Sequence, residues 1–147
     1  MKTTDLIDSM TFTHRPQNGI SVGFAVIAGV AYMAVGFVRE GDFFNRKLAR
    51  RILAQRIASS MERDVKMVTV IENVNEKVDA RAVVREFRKT FKPDPNCNDD
   101  TFSNLLCDSY GTREIVGRAP MSRDNSLAKI NKMFTDAVQA ASVACVS

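Results

Sequence analysis

From Ile20 to Val38 the chain runs nineteen residues without a charge, and this stretch constrains the fold more than any other. Its length is close to the ~20 residues of a bilayer span. Three glycines and the small-residue pair Ala25 and Gly29 would suit helix packing in lipid. A membrane-associated protein anchored by 20–38 is therefore one reading. The residue types argue for another. Ile20, Val22, Phe24 and Val26 alternate with Ser21, Gly23 and Ala25, and Met33, Val35 and Phe37 alternate with Ala34 and Gly36. Period two is strand behaviour, and β-branched and aromatic side chains fit a pleated surface. Ile27-Ala28-Gly29 supplies a turn, with Gly29 free to take positive φ. We expect an antiparallel hairpin with one large apolar face and one face of small residues. A small face lets a helix, a second subunit or a ligand approach the backbone, and a tightly packed helix is its simplest occupant.

The second strand runs out at Arg39-Glu40-Gly41-Asp42. Gly41 breaks the strand and Asp42 is suited to cap a helix over Phe43 to about Ala58. On a helical wheel Phe44, Leu48, Ala49, Ile52 and Leu53 fall on one half, and Arg46, Lys47, Arg50 and Arg51 on the other. This predicts an amphipathic helix with a cationic outer face. Asn45 and Arg56 interrupt the apolar arc. Buried arginine is costly without partners, so Arg56 either bends to the helix end or enters a polar pocket.

The remaining elements are read in order. Thr11-Phe12-Thr13-His14 is a short edge strand ended by Pro16, and Asn18-Gly19 a turn. Val65 to Val74 is a third long strand. Asn75 opens a helix to about Phe91, with Val83, Phe87 and Phe91 as its stripe and Arg81, Arg85, Arg88 and Lys89 mostly off it. Pro93 and Pro95 stop that helix. A short helix is expected over 101–108 and a short strand at Glu114-Ile115-Val116. A last helix, capped by Ser122 or Asp124, runs to about Ala144 with Leu127, Ile130, Phe134, Ala137, Val138 and Ala141 inward. The order predicts an α+β fold: one domain over 1–147, an antiparallel sheet nucleated by the 20–38 hairpin, and helices packed on one side of it.

At 147 residues, 45% hydrophobic and 26% charged, the chain is ordinary for a globular protein, and its net charge of +4 suits an anionic partner. Three cysteines, Cys97, Cys107 and Cys145, without a CxxC pair, point to a reducing compartment and away from a disulfide framework or zinc. The start Met-Lys-Thr-Thr-Asp has no apolar run, so no ordinary signal peptide is expected. Asp94, Asn96, Asn98 and Asp100 alternate like a calcium loop, but Asp99 and Leu105 stand where glycine and glutamate are needed. An Asx-rich turn accounts for them, and we expect no metal and no cofactor. There is no phosphate loop, dinucleotide fingerprint or nucleophile elbow. The single histidine, His14, is expected at the surface. No nucleophile–base pair can be assembled, so the chain is not expected to be an enzyme.

Arginine remains. A helix start with free N–H groups beside Asn45, Arg46, Lys47 and Arg50 attracts phosphate, and guanidinium groups fit phosphate oxygens bidentately. Phe43 or Tyr32 is placed to stack a base. The plain alternative is a solvated basic face. The candidate ligand-binding residues are Phe43, Asn45, Arg46, Lys47, Arg50 and Arg56.

The segment Val35-Gly36-Phe37-Val38-Arg39-Glu40-Gly41-Asp42-Phe43-Phe44-Asn45-Arg46-Lys47-Leu48-Ala49-Arg50-Arg51-Ile52 resembles a strand–Asp-x-Phe-x-Arg-Lys–helix segment of small bacteriophage accessory proteins. More loosely it resembles the anti-Thoeris sponge proteins of phages. Ala49 stands where that pattern has glycine. The resemblance implies a phage-encoded, cytoplasmic, homo-oligomeric protein of the host cell that sequesters a cyclic ADP-ribose-like or cyclic oligonucleotide signal without cleaving it, countering host defence. A nucleic-acid-binding regulator using the basic helices 43–58 and 76–91 is the alternative.

Overall fold

The alternating stretch folds as a hairpin of two eight-residue strands, β2 (Ile20–Ile27) and β3 (Val30–Phe37). Ala28 and Gly29 make the turn with φ of 51° and 76°. Two successive left-handed residues give a turn whose twist matches the strands it joins. Residues 20–37 are thus paired strands and not the membrane-spanning helix that their length would allow. Among the described residues no helix is long and apolar enough to cross a membrane. This computed structural model describes residues 3–15, 20–37, 45–91 and 123–146. Asp42, Phe43, Phe44, the 94–100 loop, Cys97, Cys107, the helix expected over 101–108 and the strand at 114–116 lie outside those residues.

The other described elements are α1 (Thr3–Ser9), β1 (Thr11–Arg15), α2 (Arg46–Ser60), β4 (Val68–Ile71), α3 (Ala80–Phe91) and a long C-terminal helix, α4 (Arg123–Val146). The sheet is antiparallel throughout, in the order β1-β2-β3-β4. The fold is α+β. Helix α1 was not expected, and β4 is shorter than the Val65–Val74 strand read from the sequence. Helix α3 starts later than expected. Asn75 closes a turn of its own through Lys77 N at 2.9 Å, and Asp79 caps the helix by accepting from Ala82 N at 2.8 Å.

The helices cover both faces of the sheet, not one. On the large face Ile20, Val22, Phe24, Met33 and Val35 pack against α3 and α4. Phe24 meets Phe87 edge-on at 5.0 Å and Phe134 at 5.8 Å. The expected stripes of both helices are the ones buried there. On the small face Ala25 and Ala34 pack with Leu6 and Met10 near α1 and with Leu53, Ala54 and Ile57 of α2. Tight helix packing is thus what the small face accommodates.

Helix α2 begins later and is turned further than the wheel predicts. Asn45, not Asp42, is its N-cap, accepting from Leu48 N at 3.0 Å. Its buried residues are Leu53, Ala54 and Ile57, while Leu48 is 48% exposed and Ile52 only partly covered. The reason is steric. A sheet face of glycine and alanine is met most closely by the alanine side of a helix, and one residue of rotation is 100°. Truncating a buried leucine or isoleucine costs roughly 2–5 kcal/mol. Ile57→Ala should therefore lower unfolding free energy by that amount in urea titration, and Leu48→Ala by less than about 0.5 kcal/mol.

Candidate functional site

The rotation of α2 decides where its cations stand. Arg46, Arg50 and Ala54 are spaced i, i+4, i+8 and so share one side of the helix. Ala54 is buried on the sheet, which lays Arg46 and Arg50 along the neighbouring edge rather than straight into solvent. That edge is β1. Phe12 and His14 lie opposite Gly23 and Ser21 across the ladder, on the small face with α2. The Arg50 guanidinium sits 5.2 Å over the Phe12 ring. Its Nε donates to His14 Nε2 at 3.4 Å, and His14 Nδ1 is 2.9 Å from Ser21 Oγ. Arginine only donates, so Nε2 accepts and neutral His14 carries its proton on Nδ1, donating to Ser21. The Phe12 and His14 rings lie nearly parallel, 6.1 Å apart.

His14 is therefore a half-buried part of a cationic cluster, which corrects the expectation of a surface histidine. Burial first, then the charges of Arg50 and Arg46, lower its pKa from 6.5 to about 4. Sequence reasoning missed it because its partner Arg50 is 36 residues away.

The expected site residues separate into two groups. Arg46, Lys47 and Arg50, with Arg51, line a groove of about 500 Å³ whose other wall is Thr4 and Ile7 of α1. Asn45 has its side-chain oxygen committed to the helix cap, so its expected contact with a base or ribose rests on the amide NH2. Arg56 is not in the groove. Its Nη1 donates to the Val35 carbonyl and lies close over Gly36. It enters the sheet, and its visible bond is structural. Phe43 lies outside the described residues.

Helix α2 contains no acidic residue in Arg46–Ser60. Among the described residues, none of Arg46, Lys47, Arg50 and Arg51 has a carboxylate in ion-pair range. Like charges three and four residues apart destabilise a helix, so this cluster is better suited to an external anion than to stability.

A second groove, about 590 Å³, lies on the opposite face of the sheet, lined by Thr11 and by Arg81, Val84, Arg85, Arg88 and Lys89 of α3. A third and larger one, by the hairpin turn, is lined by Glu72, Glu76 and Asp79, whose charge repels anions. Among the described residues no group of three or more histidine, cysteine or carboxylate side chains is placed to hold a metal. The chain matches no family model, no curated protein and no solved structure.

The histidine gives a pH test. Its pKa is lower in the folded chain than in the unfolded one, so the unfolded chain binds the extra proton between about 6.5 and about 4. Stability should fall as pH drops through that window and be fully present above it. Urea midpoints measured across the window should show a slope in the native chain that is reduced in His14→Gln.

Proposed function

We propose that the protein is a non-enzymatic binder of a phosphate-bearing ligand of the nucleotide class, held at the cationic cluster of α2 on the β1 edge. One observation supports this above the others. Arg50 is positioned by an aromatic face and a neutral imidazole, so its direction is set while its charge is left uncancelled. Arg46, Lys47 and Arg51 add charge around the same groove, and guanidinium groups match phosphate oxygens in pairs. His14 is neutral at physiological pH, and its Nε2 is occupied by Arg50. It is a positioning residue, not a general base.

Sequestration needs no chemistry beyond this. A cyclic ADP-ribose-like or cyclic oligonucleotide signal, as the phage resemblance implies, is a phosphate-bearing ligand of a size suited to the groove, and its capture in the host cytoplasm would silence a defence. Binding by calorimetry and mass analysis of the ligand after release test the two halves separately. Loss of one charge-assisted hydrogen bond costs roughly 1.5–3 kcal/mol. Arg50→Ala and Arg46→Ala should each weaken binding about tenfold or more. Lys132→Ala, a highly exposed cation on α4, should leave it unchanged. Arg56→Ala should act mainly through stability. Ligand recovered chemically changed would replace binding with catalysis; equal, small effects at Arg46, Arg50 and Lys132 would return the cluster to a solvated face.

A further inference from the structure

Strand β1 is the outer strand of the sheet, and among the described residues nothing pairs with its free side. Three consecutive residues of it hold arginines from opposite faces. Phe12 and His14 hold Arg50 of α2, while Thr13, between them, accepts from Arg88 Nε of α3 at 3.0 Å. A pleated strand sends successive side chains to opposite sides, so the two guanidinium groups flank one strand, on the order of 10 Å apart. Arg88 is continued along α3 by Arg85 and Arg81, which line the groove with Thr11. Among the described residues Arg81, Arg85 and Arg88 have no carboxylate in ion-pair range; Lys89 alone is paired, with Glu86 at 3.1 Å. The α3 groove thus reaches β1 through Thr11, and the α2 groove is joined to the same strand through Arg50, which rests on Phe12 and His14.

We infer that the protein also binds a single-stranded nucleic acid that crosses the β1 edge, its phosphates held by Arg46 and Arg50 on one face and by Arg81, Arg85 and Arg88 on the other. This rests on the reading of the α2 cluster as a phosphate site and extends it to a second site on α3. Charge placement fixes the class of ligand. A mononucleotide fills one groove and leaves the other cationic. A duplex presents enough phosphates, but its persistence length of about 50 nm forbids a turn around one strand of a sheet. A single strand has the charge density and the flexibility, and tracking of its backbone along a cationic groove needs no base readout.

The test is fluorescence anisotropy with labelled oligothymidylates, from the dinucleotide to about twelve nucleotides, the range of single-strand site sizes, and with a duplex of the greatest length. Three proteins are compared: the native chain, Arg46→Ala/Arg50→Ala, and Arg81→Ala/Arg85→Ala, each with its thermal midpoint measured to show that it folds. For the native chain, affinity should rise with length and the single strand should bind better than the duplex. The α3 variant should bind the longest oligomer about tenfold more weakly, with a log–log salt slope smaller by about one to two, and bind the dinucleotide as the native chain does. If only the α2 variant loses binding at every length, the crossing strand is wrong and the α2 phosphate site stands. A longest oligomer bound no more tightly than the dinucleotide, or a preference for duplex, also overturns the inference. Absence of binding to every probe overturns both it and the reading it rests on.

Discussion

The close approach of α2 to a sheet face without large side chains is the contact from which the site follows. A Cβ added at Gly36 would stand 3.5 Å from a Leu53 methyl and 3.6 Å from Arg56 Nη1, ordinary contact distances that show how near the helix lies. Gly23 is tighter. An added Cβ would meet Met10 Cε at 2.7 Å and the Phe12 ring at 3.2 Å. Met10 can swing away; the ring carries Arg50 on its face. The small residues of the hairpin thus do more than admit a helix. They fix its rotation, the rotation sets Arg46 and Arg50 beside β1, and Gly23 leaves the space in which Phe12 lies.

The two ends of the sheet are completed in different ways. Strand β4 pairs with β3 only from Ala31 to Ala34. Beyond it Val35 N still finds Met67 O at 2.9 Å. The Val35 carbonyl points to the same side, past the end of the ladder, and Arg56 donates to it. A buried carbonyl without a donor is costly, and this is the physical reason an arginine interrupts the inward face of α2. At β1 the arginines hold side chains instead, and their charge stays at the edge. Cations also deter the edge-to-edge pairing that an open strand invites.

How much of this the sequence discloses depends on how local the cause is. The hairpin is legible because alternation and the turn glycine are written in adjacent residues, and both strands and the turn fall where the pattern places them. The inward stripes of α3 and α4 are legible because large side chains carry them, Phe87 and Phe134 foremost. The phase of α2 is not. Its inward side includes Ala54, while Leu48 and Ile52, more apolar by composition, face outward or sit half-covered. The small face was legible as a seat for a helix, but serine, glycine and alanine carry no hydrophobic stripe of their own to say which helices form that second layer. Helix α1, seven residues with Leu6 as its buried member, is too short for periodicity to register. Within the site, Arg46, Lys47 and Arg50 were legible as a charge cluster. What arranges them was not: Phe12, His14 and Ser21 come from the sheet.

The nature of those partners is what favours the proposed binding site over a stabilising network. Arginine held by a carboxylate is oriented but electrostatically spent. Arg50 is held by a ring face and a neutral imidazole, and Arg88 by a hydroxyl. Each of these fixes a direction and cancels no charge. The imidazole keeps this property only while unprotonated, and the cluster itself enforces that state, since burial and the neighbouring Arg50 and Arg46 hold His14 well below its ordinary pKa. Positive charge thus maintains the neutrality of the group that orients it. An anion arriving at Arg46 and Arg50 weakens the field on His14 and makes its protonation easier, so anion binding and proton uptake at this cluster favour one another by linkage. The sign of that coupling is dictated by the arrangement: a carboxylate in place of His14 would bind more weakly to protons beside the same arginines and would repel an anion that a neutral imidazole does not.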